Sequence, residues 1–166
     1  MGYLIRAARE ADYEGLCEVF AEVDALHRSS EPRVFREVAG PPRTREFVSG
    51  LALGTSSALF VAECAERVVG LVQVRVVSEA PDVPMLAPRR YAVVGDLVVR
   101  EDTRRQGIGR ALLDRAHTWA ASRGAADVEL TVWEFNREAR AFYESLGYTT
   151  ARRRMWRPLD QSPGAP

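Results

Sequence analysis

The chain predicts one mixed α/β domain. Its 166 residues, 46% hydrophobic and 28% charged, suit a single unit large enough to bury a core without a disulfide or metal staple. Short apolar runs with period-two alternation interleave with stripes at helical spacing. Residues 91–146 read strand–helix–strand–helix, which requires at least one parallel strand pair.

A first strand covers residues 3–6. Asp12 is placed to cap a helix whose apolar stripe is Leu16, Val19, Phe20, Val23 and Leu26. Residues 29–42 are rich in Pro and Arg and read as an irregular connection. A second helix spans residues 44–53, with Phe47, Val48 and Leu51 on its apolar face. Residues 58–64 form a short apolar strand. Residues 67–77 form another, with Val68, Val72, Val74 and Val76 alternating against Gln73 and Arg75. Ala65-Glu66 joins these two as a tight hairpin, although a Gly or Asn is the expected residue there. Pro81, Pro84 and Pro88 mark a loop. A strand at 91–99 is followed by a helix at 107–121 carrying Ile108, Leu112, Ala116 and Trp119 on one face. A strand at 127–133 and a helix from Asn136 to a Gly147 cap follow. Residues 149–157 read as a last strand, and residues 159–166 as a disordered tail beyond a domain of residues 1–158.

Composition excludes several classes of function. The 23 basic residues balance 23 acidic ones, against a nucleic-acid coat or a polybasic membrane binder. Every basic residue is Arg, so a Schiff-base lysine and a Walker-A lysine are ruled out. Cys17 and Cys64 have no metal-ligand spacing, and a reduced, cytoplasmic chain with no metal is expected. No signal-peptide core or membrane-length apolar run is present.

The segment Arg104-Arg105-Gln106-Gly107-Ile108-Gly109-Arg110 joins a strand to a helix. Glycines at a helix start let the backbone approach a bulky anion. The free N–H groups of the first turn and the helix dipole favour phosphate oxygens. By itself this pattern fits a diphosphate cradle or a merely glycine-softened turn. A dinucleotide-binding reading fails. Leu112 stands where the third glycine belongs, the motif follows four strands, and no complete βαβαβ half comes after it.

The second pattern lies at 136–148: Asn136-x-x-Ala139-x-x-Phe142-Tyr143-x-x-x-Gly147-Tyr148. Read alone, Phe142 and Tyr143 suit a core stripe and Asn136 a helix N-cap. Together with Arg104-x-x-Gly107-x-Gly109 and the preceding Asp96-Leu97-Val98-Val99, however, the chain resembles the GCN5-related N-acetyltransferase (GNAT) superfamily. The resemblance is firm over residues 91–157 and compatible over 3–77.

The resemblance implies a mixed central sheet with a parallel strand pair splayed around residues 96 and 131, flanked by about four helices. It implies that backbone groups of Gln106, Gly107, Ile108, Gly109 and Arg110, bracketed by Arg104 and Arg105, hold the pyrophosphate of acetyl-CoA. The strand at Leu97, Val98 and Val99 would bulge and pair with the pantetheine arm. Asn136 and Phe142 would line the cofactor, and Tyr143 would protonate the departing thiolate. The implied activity is acetyl transfer to a primary amine of a small molecule or peptide, with homodimers common among similar proteins.

The residue chemistry agrees. An amine attacks a thioester directly, so no enzyme nucleophile is required. An acid for the thiolate and a route for the ammonium proton are required. Phenol and thiol have comparable pKa values near ~8.5–10, which suits Tyr143. Asp96 is the base candidate, with a solvent-facing carboxylate as its plain alternative. His117 reads as a half-exposed packing residue, and His27 as a helix-end histidine where the acceptor region begins. The acceptor itself is not fixed. Five acids against three arginines in residues 18–37 hint at a cation, whereas Arg152-Arg153-Arg154 favour an anion. A degenerate acetyl-CoA-binding sensor without turnover is the alternative function.

Overall fold

The period-two valines form the centre of a mixed sheet. A computed structural model describes residues 2–157. The elements are β1 (Leu4–Ala7), α1 (Tyr13–Ser30), α2 (Arg45–Leu53), β2 (Ser57–Cys64), β3 (Arg67–Glu79), β4 (Arg89–Val99), α3 (Ile108–Ser122), β5 (Val128–Leu130) and α4 (Arg137–Ser145). The five strands lie in the order β1-β2-β3-β4-β5. The first three pairings are antiparallel and β4–β5 is parallel, as the strand–helix–strand pattern requires. The expected tail at 159–166 lies outside the described residues. The chain divides into two compact units, the first ending at Thr131 and the second beginning at Val132.

In the first unit both faces of the sheet are covered. Leu16, Val19 and Phe20 of α1 and Val48 of α2 share a core with Leu59, Val61, Val68, Leu71 and Val98. Full burial of such side chains stabilises by about 1.5–3 kcal/mol each. On the other face α3 inserts Leu112, Leu113, Ala116 and Ala120, and Arg115 lies 4.5 Å over the Phe60 ring. The β2–β3 hairpin turns through Ala65 and Glu66 with φ of 48° and 62°. Two consecutive left-handed residues suit the right-handed twist of the flanking strands, although neither is Gly or Asn.

Four expectations need correction. Asp12 does not cap α1: the helix has no side-chain cap. Its carboxylate is instead spent on Arg6, at 2.7 and 2.8 Å, and on the Arg9 N–H at 2.7 Å. Phe47 does not belong to the buried face of α2; it is exposed while Val48 is buried. The fifth strand is only Val128–Leu130, shorter than 127–133. No strand forms over 149–157, where every residue is exposed. Three consecutive arginines there leave no alternation and no face to bury, so nothing fixes a register.

Candidate active site

The turn between β4 and α3 is made mostly of backbone. Arg105 (φ 62°) and Gly107 (φ 83°) both adopt the left-handed region, which swings the chain from the strand into the helix. Gly107 is the N-cap of α3, and no side chain caps this end. The first N–H groups of an α-helix have no carbonyl of their own helix to pair with. Ile108 is buried and anchors the turn, while Arg104, Arg105, Gln106 and Arg110 are exposed. A Cβ built on Gly107 would meet only the Tyr3 hydroxyl, at 3.5 Å, so a side chain there would occupy the open surface above the turn. A left-handed residue, an uncapped helix end and flanking guanidiniums are the features that favour an anion. Ion pairs fasten the turn to α1. Arg100 reaches Glu18 at 2.9 Å and Glu22 at 3.4 Å, and Glu22 accepts the Glu101 N–H at 2.9 Å. The Arg104 Nε donates to the Val99 carbonyl at 3.0 Å.

The bulge lies slightly earlier in β4 than expected. Val72 pairs with Leu97 and Val74 with Val94, so Gly95 and Asp96 together oppose Gln73. The irregularity thus precedes Leu97, Val98 and Val99, which keep a regular ladder with β3. On the other edge the parallel ladder stops at Val94↔Leu130. Beyond that point β3 is the ladder partner of β4 among the described residues. The opening of the parallel pair near residues 96 and 131 is therefore visible in the register.

The bulge aims Asp96 to the α1 face, which it shares with Val98. Burial pushes the Asp96 carboxyl above its ordinary range; the Arg43 guanidinium opposes this, Asp24 adds to it and His27 opposes it. His27 is in turn lowered by burial, against the raising effect of Asp24 and Asp96. His27 stacks on Phe35 with centroids 4.7 Å apart and planes at 17°. Arg43 donates to Asp24 at 2.7 Å and lies 3.9 Å over the Phe20 ring. Asp24, Arg28, Phe35, Arg36 and Arg43 line a cavity of about 330 Å³. They stand on the end of α1 and the irregular connection after it, within residues 24–43, where the resemblance places part of the acceptor region, although no motif marks them one by one. His117 is half-buried on α3, as expected.

The second unit carries α4. Asn136 caps it by accepting the Ala139 N–H at 3.1 Å. Gly147, with φ 87°, closes it: the Gly147 N–H donates to the Glu144 carbonyl at 3.0 Å and the Tyr148 N–H to the Tyr143 carbonyl at 3.1 Å. Phe142 and Tyr143 are half-buried, with ring centroids 5.4 Å apart. Tyr148 meets the Tyr143 ring edge-on at 5.6 Å, and burial raises its phenol to about 12. The spacing Asn136…Gly147 thus has a full local structural explanation.

Comparisons with known proteins define the class. A family model described as Acetyltransferase (GNAT) family matches residues 20–148. An uncharacterised N-acetyltransferase of Bacillus subtilis, YhfO, is 25% identical over 144 residues, covering 87% of this chain and 88% of its own. The [ribosomal protein bS18]-alanine N-acetyltransferase of Escherichia coli is 42% identical over 60 residues, which is 36% of this chain and 40% of that protein. The crystal structure of a mutant BH1408 protein from Bacillus halodurans superposes with a TM-score of 0.88 at 27% identity, covering 94% of this chain and 99% of that one. The chain belongs to the GNAT acetyltransferase family, and the mixed sheet of five strands with four α-helices among its described residues is that family's fold. Among the described residues no cluster of three His, Cys, Asp or Glu could hold a metal, and no helix is long and apolar enough to cross a membrane.

Proposed function

We propose that the protein is an acetyl-CoA-dependent N-acetyltransferase that moves the acetyl group to a primary amine by direct attack. One observation carries this reading: the uncapped N-terminus of α3, presented by left-handed Arg105 and Gly107 at the end of the bulged strand β4. The backbone N–H groups of Gln106, Gly107, Ile108, Gly109 and Arg110 bind the diphosphate, with Arg104 and Arg105 flanking it. The edge of β4 at Leu97–Val99, beyond the end of the parallel ladder, pairs with the amide-bearing arm of the donor. Asn136 and Phe142 keep the donor-lining role that the family resemblance gives them.

The chemistry asks two things of the side chains. The acceptor ammonium must lose a proton before its nitrogen can attack. Asp96, a carboxylate at a bulge, holds the cation and takes the proton directly or through water. The departing thiolate must be protonated, and Tyr143 supplies that proton. The bland roles of these two residues, a solvent-facing strand carboxylate and a core ring, predict full turnover in their variants. GNAT membership supports the transfer of acetyl groups in general, and the named N-acetyltransferases among the relatives support nitrogen as the acceptor.

The test is release of free thiol from acetyl-CoA against a panel of amines, with a thermal shift alongside. Acetyl-CoA at a hundredfold excess over Kd stabilises the fold by ~2.7 kcal/mol if it binds only the native state. Desulfo-CoA does nearly as well, because the diphosphate makes much of the contact. No shift with either compound contradicts the donor assignment. A shift without turnover on any amine contradicts the enzymatic one.

A further inference from the structure

Four of the five acids that made residues 18–37 look suited to a cation are already engaged. Glu18 and Glu22 pair with Arg100, Glu31 with Arg33 at 2.9 Å, and Asp24 with Arg43 at 2.7 Å. The Asp24–Arg43 pair is largely buried, with exposures of 17% and 19% for the two side chains, and neutralises itself. Arg28 and Arg36 face the same cavity, and neither has a hydrogen-bond, ion-pair or ring partner among the described residues. The cavity therefore presents two uncompensated guanidiniums on a wall that includes Phe35, which His27 holds flat by stacking.

A guanidinium without a carboxylate is built to take one, or a phosphate, through paired N–H groups. The reacting amine has a separate place to go. Asp96 stands on the α1 face of β4, and Arg43 serves both positions: it lines the cavity, and its charge acts on Asp96. The volume, about 330 Å³, is at the small end of ligand pockets.

We infer that the acceptor is a small primary amine that also carries an anionic group, carboxylate or phosphate, which Arg28 and Arg36 hold in the cavity after α1. This rests on the reading of the protein as an N-acetyltransferase and narrows its substrate class. The arginines make no bond in the reaction. They fix the anionic end while the amine nitrogen attacks the thioester carbon, giving an N-acetyl product and CoA thiol.

The experiment uses four amines of similar length: β-alanine (carboxylate), O-phosphoethanolamine (phosphate), propylamine (neutral) and 1,3-diaminopropane (cationic). Thiol release and titration calorimetry in the presence of desulfo-CoA are measured in parallel, with wild-type protein and an Arg28→Gln/Arg36→Gln variant. At least one anionic amine is expected to bind and react about tenfold or more better than propylamine, with the diamine poorest. The better of the two anions names the group. In the double variant that advantage disappears, while acetyl-CoA affinity stays as in the wild type. Equal or better performance of the diamine, or an anion preference that survives the double substitution, overturns the inference. Absence of turnover with all four amines counts against the transferase reading. The calorimetric preference then decides the inference separately, and no preference for the anionic amines overturns it.

Discussion

At the turn before α3 the groups that would meet a ligand are backbone N–H groups, whereas in the cavity after α1 they are side chains. The first arrangement tolerates few sequences. It requires a left-handed residue at Gly107 and an uncapped helix end behind it. The second can be written many ways, because guanidiniums on an irregular connection can be moved or exchanged without breaking a ladder or a helix. On the proposed reading, the donor side is therefore a matter of fold and the acceptor side a matter of composition. One chain can share the first with distant relatives and differ from them in the second.

The largest expected effect falls on the donor side. Gly107→Val should lower kcat/KM for acetyl-CoA by more than about a hundredfold, since the new side chain would fill the open surface above the turn, where the proposed function puts the diphosphate. The left-handed backbone adds about 1–2 kcal/mol of strain, which a domain of this size survives. Unchanged kinetics in a folded variant would make the turn purely structural. Tyr143→Phe comes next: kcat falls by roughly ten- to a thousandfold while acetyl-CoA affinity holds, because the ring still packs on Phe142 and Tyr148. Wild-type turnover would return Tyr143 to a core role.

On the acceptor side the effects are smaller and depend on pH. On the proposed mechanism Asp96 acts as carboxylate, and burial raises its pKa, so wild-type kcat/KM should fall as pH drops through that raised value. Asp96→Asn should lose activity most near neutrality, by roughly ten- to a hundredfold, and recover as pH approaches the acceptor's own pKa near ~10. A loss that is the same at every pH would make Asp96 a positioning residue. The smallest effect is expected of Arg43→Gln. Arg43 holds the Asp96 carboxyl down, so its removal should move the acid limb of the pH profile to higher pH. It also leaves Asp24 without its ion-pair partner, which acts in the same direction. A shift to lower pH would show that Asp96 does not own that limb.

The same division explains what the sequence disclosed. Every α-helix, and every strand through β5, could be anticipated, because each depends on periodicity or on a cap within its own segment. Asn136, Gly147 and the Phe142–Tyr143 pair show this well, since their bonds all lie within α4 and its end. The exceptions are competitions between distant groups. Asp12 has the right spacing to cap α1, but Arg6 from β1 claims its carboxylate. The three consecutive arginines within 149–157 leave no face to bury, so the two threonines and Trp156 did not make a strand. The bulge at Gly95–Asp96 shows only in the register against Gln73, which no one-strand pattern reveals. The charge of residues 18–37 shows the same limit, because Arg43 and Arg100, the partners of Asp24 and Glu18, lie outside that window.

The claim that backbone at the start of α3 holds the donor's diphosphate can be tested by a binding cycle. Titration calorimetry would compare acetyl-CoA with S-acetylpantetheine, which lacks the diphosphate and nucleotide, on wild-type protein and on Gly107→Val. The wild type should prefer acetyl-CoA strongly, and the variant should bind the two ligands with nearly equal, weak affinity. If the preference for acetyl-CoA is as large in the variant as in the wild type, the diphosphate is held elsewhere and the account of this site is wrong.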